Sequence, residues 1–76
     1  MPMTTEQLQE HLAQAERHIA ELTWRITKQR QLVGGLPLKS EVRDEAIQTL
    51  VALTESLPIL EKHRELILSW IEEKAK

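Results

Sequence analysis

The sequence predicts an all-α chain: an antiparallel two-helix hairpin, coiled-coil-like, that dimerises into a four-helix bundle. Three observations carry that expectation. Apolar residues recur every three or four positions along two long segments. Only two glycines and three prolines occur in 76 residues, and both glycines fall together between those segments. Recurrence at this period marks one face of a helix, and the strict alternation of a half-buried strand is missing.

Helix 1 is read over about residues 4–33. Thr4 followed three positions later by Gln7 makes a capping box, in which each residue satisfies a backbone N–H of the other. Leu8, Leu12, Ala15, Ile19, Leu22, Ile26, Gln29 and Val33 then follow at alternating steps of four and three. All but Gln29 are apolar, so the stripe is a heptad seam. Gly34 and Gly35 predict the stop through a left-handed residue, and Pro37 forces Leu36 towards extended geometry. Arg25, Lys28 and Arg30 precede that end, where positive charge offsets the carbonyl pole of the helix.

A loop at 34–39 is too short for anything but an antiparallel return. Helix 2 is read over about residues 40–74, capped by Ser40 with Glu41, Asp44 and Glu45 in its first turns. Its stripe is Val42, Ala46, Leu50, Leu53, Leu57, Leu60, Arg64, Ile67 and Ile71, widened by Ile47, Val51, Ile59, Leu66, Leu68 and Trp70. Pro58 lacks an N–H and clashes with the carbonyl of Thr54, which predicts a kink. The competing expectation is a break into a third helix capped by Ser56, giving a three-helix monomer. One hairpin domain then covers residues 1–76.

Folding about the loop places residue i opposite about 73 − i, which leaves the last seven or eight residues overhanging helix 1. Trp70 and Ile71 would then have no cover within their own chain. Leu66, Ile67, Trp70 and Ile71 are therefore expected to line an interface, with a second copy or with a target protein. Trp24 lies opposite the helix 1 seam, flanked by Ala13, Ala20 and Thr27, and is the candidate anchor of a second contact face.

Composition narrows the function. Ten Lys+Arg against twelve Asp+Glu give a net charge of −2, which argues against a protein that coats nucleic acid. Arg25, Lys28, Arg30, Lys39 and Arg43 nonetheless form a basic patch at the loop end. No cysteine is present, which removes disulfides, thiolate metal sites and cysteine catalysis. No apolar run reaches the roughly 18 residues of a membrane span, and the first residues lack signal-peptide character, so a cytoplasmic protein without membrane contact is expected. His11 and His18 are seven residues apart, too far along one helix to share an ion. His11 and His63 come close across the hairpin and are the only metal candidates, so no metal or cofactor is expected. The carboxylates pair at i, i+4 on surface faces, and no catalytic residue is proposed.

The leading expectation is a non-enzymatic protein–protein interaction or oligomeric scaffold module acting as a homodimer. The alternatives are a small regulatory protein binding a target protein or nucleic acid through the basic loop end, and an inter-helix metal or ligand site at His11 and His63. Ala15-Glu16-Arg17-His18-Ile19, Arg25-Ile26 with Gln29-Arg30, Glu55 with Leu57, His63-Arg64 and Ile67-Leu68 together resemble a group of short, uncharacterised two-helix proteins of alphaproteobacteria. The resemblance implies a two-helix fold and supplies no catalytic residues. The linker Gly-Gly-Leu-Pro-Leu departs from the Gly-His-Asp style of turn in that group.

Overall fold

Thr4 opens the first helix as its side chain dictates. Its backbone N–H donates to Gln7 Oε1 at 3.0 Å, and the Gln7 N–H donates to Thr4 Oγ1 at 3.1 Å. Two donors that the first turn would leave orphaned are thereby satisfied. In the computed structural model, which describes residues 3–75, the chain forms two helices, α1 (Thr5–Gly35) and α2 (Glu41–Ala75). Met1, Pro2 and Lys76, part of the domain read over 1–76, lie outside the described residues. The two helices pack side by side into an antiparallel hairpin of 56 × 18 × 14 Å.

The end of α1 corrects the sequence reading. Gly34 and Gly35 both remain helical, and no glycine has a positive φ among the described residues. Leu36 ends the helix instead, at φ −92°, ψ 151°, the extended geometry that Pro37 demands of its predecessor. Its N–H donates back to the Val33 carbonyl at 3.3 Å. Proline decides this boundary, so α1 runs two residues further than the glycines suggested. Arg25, Lys28 and Arg30 consequently lie upstream of the last turn, which holds no basic residue.

Ser40 starts α2 by accepting from the Arg43 N–H at Oγ, 3.1 Å. The helix then continues unbroken to Ala75 with Pro58 inside it, so no third helix exists among the described residues. Two hydroxyls in the turn before the proline bond back one turn, Thr54 to the Leu50 carbonyl and Ser56 to that of Ala52.

The core is a single line of side chains. Leu8, Ala15, Leu22 and Ile26 of α1 and Ala46 and Ile67 of α2 are buried, and the remaining seam residues are half-buried. Val42 departs from the predicted stripe: it is exposed, and half-buried Arg43 takes its place. The reason is periodicity. Two successive steps of four from Leu50 through Ala46 to Val42 rotate off the face, whereas a step of three to Arg43 stays on it.

Gln29, the one polar member of the α1 seam, bridges the helices. Its Nε2 donates to the Ala46 carbonyl at 2.8 Å. That pair, with Leu22 and Leu53 lining one cleft and Met3 and Glu73 another, places residue i opposite about 76 − i. Extending α1 through the glycines moved the centre of the turn to Leu38, and the register moved with it. The overhang therefore shrinks to about residues 72–75, because Trp70 and Ile71 now stand opposite the first turn of α1.

Candidate interaction face

The residues expected to form an interface divide into two kinds. Ile67 is 1% exposed, fully withdrawn into the seam of its own chain, and Ile71 is half-buried. Leu66 and Trp70 are 46% and 41% exposed, on the outward side of the same helix. Trp24 is open on α1, with Lys28 Nζ standing 5.5 Å from its ring centroid. A cation at that distance interacts favourably with the indole face. Trp24 and Trp70 do not meet: Trp70 stands opposite residue 6, about 27 Å along the hairpin from Trp24.

The basic residues are dispersed. Arg25 lines a cleft beside Glu21, and Lys28 is drawn over Trp24. Arg30 is exposed on the opposite flank of the α1 seam, by its heptad position, and Lys39 is exposed in the loop. Arg43 is half-buried, with its Nε enclosed and without a hydrogen-bond partner. His11 and His63 are both exposed. Among the described residues no group of three or more His, Cys, Asp or Glu side chains is placed to hold a metal ion. No helix among them is long and apolar enough to cross a membrane.

A second stripe on α2 escaped the reading of the sequence. One heptad position next to the seam holds Val42, Thr49, Ser56, His63 and Trp70, and the position beyond it holds Glu45, Ala52, Ile59, Leu66 and Glu73. Between residues 46 and 72 neither position carries Asp, Glu, Lys or Arg. Every one of these side chains is exposed, Ile59 at 70%. The signal was present as a second three-and-four rhythm, but Ile59, Leu66 and Trp70 read as a mere widening of the first.

Two open clefts mark the side of the hairpin on which this stripe lies. The larger, about 510 Å³, lies between His18, Glu21, Leu22 and Arg25 of α1 and Leu53, Ser56, Ile59 and Leu60 of α2. The other, about 350 Å³ at the open end, is lined by Met3, Leu8, Trp70, Glu73 and Lys74. Ser56, Ile59, Trp70 and Glu73 belong to the stripe, so both clefts open onto it. The matching flank of α1 is mostly polar, with His18, Glu21, Arg25 and Lys28 and the single exposed leucine Leu32, which leaves α2 as the more apolar half of this face. No family model, curated protein or solved structure matches the chain, so the case for this face rests on its own geometry.

Proposed function

We propose that the chain is a non-enzymatic helical interaction module that pairs with a second copy of itself, bringing four helices together. The observation that carries this reading is surface. The chain exposes 6066 Å², where a compact monomer of 8.8 kDa exposes about 4,800 Å². The excess, about 1,300 Å², exceeds the roughly 800 Å² that each partner contributes to a stable interface. Its radius of gyration is 17.2 Å, against about 11.4 Å for a compact domain of this length. Much of that surface is large and apolar, including Trp24, Ile59, Leu66 and Trp70. Two helices packed along one line leave their outer flanks open, and a second hairpin is the simplest cover.

Sedimentation equilibrium across micromolar concentrations tests the reading. A dimer is expected, and the double substitution Leu66→Ala, Trp70→Ala, both on the outward side of α2, is expected to weaken it. A folded monomer throughout that range refutes self-association. A variant that keeps the parent's mass and loses only thermal stability assigns Leu66 and Trp70 to the intrachain core.

A further inference from the structure

We infer that the second copy docks antiparallel, α2 against α2, along the uncharged stripe that ends at Trp70; the inference rests on the self-pairing proposed above and specifies its geometry. Four observations favour this face. First, it is the longest exposed run two heptad positions wide without formal charge on either helix, about six turns from Thr49 to Trp70. An interface core depleted of charge avoids the cost of desolvating it. Second, Ile59 is 70% exposed in mid-helix, at the rim of the larger cleft, where the hairpin covers little of it.

Third, both clefts of the hairpin open beside the stripe, so an opposing ridge of side chains has a groove to enter. Fourth, the stripe is graded in size. Its N-terminal half carries Thr49, Ala52 and Ser56, and its C-terminal half carries Ile59, His63, Leu66 and Trp70. A parallel copy would set large residues against large and small against small, leaving a crush at one end and a gap at the other. An antiparallel copy sets each large half against a small half, twice over by the two-fold symmetry. The axis then passes α2 between Ser56 and Ile59. Trp24, opposite the α1 seam, remains outside this contact.

The chain has no cysteine, so single cysteines can be introduced and spin-labelled without a background. Glu55→Cys, off the stripe, and Glu73→Cys, past its charged end, both exposed, report the geometry through pulsed dipolar distances between copies. In the antiparallel pair, labels at 55 lie within about 25 Å, and labels at 73 are separated by about 45 Å, some 30 residues of helical rise. Short distances at both sites establish a parallel pair and overturn the inference while leaving the dimer intact. A long distance at 55 places the contact on another face, with the same consequence. A parent that sediments as a monomer overturns the self-pairing reading itself. Ile59→Lys supplies an independent check, since the residue is 70% exposed and buries little within the hairpin. Roughly hundredfold weaker association with unchanged helicity is expected, and unaltered association refutes the face.

Discussion

Replacing Gly34 and Gly35 with alanine separates two accounts of how α1 ends. If either glycine closed the helix in the left-handed conformation, a Cβ would cost about 1 kcal/mol or more. In the structure both are right-handed helical residues. A Cβ built at either position meets nothing within 4 Å, so no steric penalty offsets the gain. Alanine exceeds glycine by about 1 kcal/mol in a helix interior, and about half of that applies in a last turn that frays. The double variant should therefore be more stable by about 1 kcal/mol, with each single variant contributing part. For a domain of this size that raises Tm by about 4–8 °C. Far-UV circular dichroism melts at matched protein concentration measure it, the match being needed because self-association would shift Tm by mass action. A Tm below the parent's for either single variant refutes the argument that Pro37, acting through Leu36, sets the boundary.

Pro58→Ala restores the hydrogen bond to the Thr54 carbonyl and removes the ring clash within continuous α2, so a gain approaching about 3 kcal/mol in denaturant unfolding is expected. A loss would mean that the ring makes packing contacts worth more than the bond. Thr4→Ala breaks the capping box and should cost about 1 kcal/mol by the same measurement. Ile67→Ala opens the most enclosed point of the seam and should cost about 2–5 kcal/mol, seen as a lower unfolding midpoint at unchanged denaturant slope.

Local chemistry made the helix starts legible. Thr4 with Gln7, and Ser40 three residues before Arg43, act through side chains that satisfy nearby backbone donors, and no distant partner is needed. The α1 seam was legible for a similar reason, since seven apolar residues at heptad spacing leave only one face to bury. The helix stop was not, because two signals, the glycines and Pro37, lay two to three residues apart and local rules do not rank them. Glycine permits a left-handed residue, whereas proline compels an extended one, and compulsion prevailed at Leu36. That small shift propagated: the register moved by three residues and brought Trp70 opposite the start of α1. Arg43 replaced Val42 in the seam because a step of three from Ala46 keeps to the buried face, even though this encloses the arginine Nε without a partner. The stripe through Ile59 was hidden by its position beside the seam, where an apolar residue serves either of two neighbours until the packing is known.

The distribution of burial along the hairpin also bears on how it forms. Gln29 and Ala46, close to the loop, are 17 residues apart in sequence. Leu8 and Ile67, the two most enclosed side chains, stand near the open end, separated by 59 residues. Closing the longer segment costs about 1 kcal/mol more in chain entropy, so pairing should start at the turn and run outward. In a uniform zipper the far end would fray freely. Here the largest reward comes last, and a partly zipped chain has met most of the entropic cost without receiving it. The open-end clasp thereby disfavours half-formed hairpins and makes the transition close to all-or-none. Amide exchange should then show α1 residues near Leu8 protected nearly as well as those near Ile26, rather than declining smoothly towards the terminus.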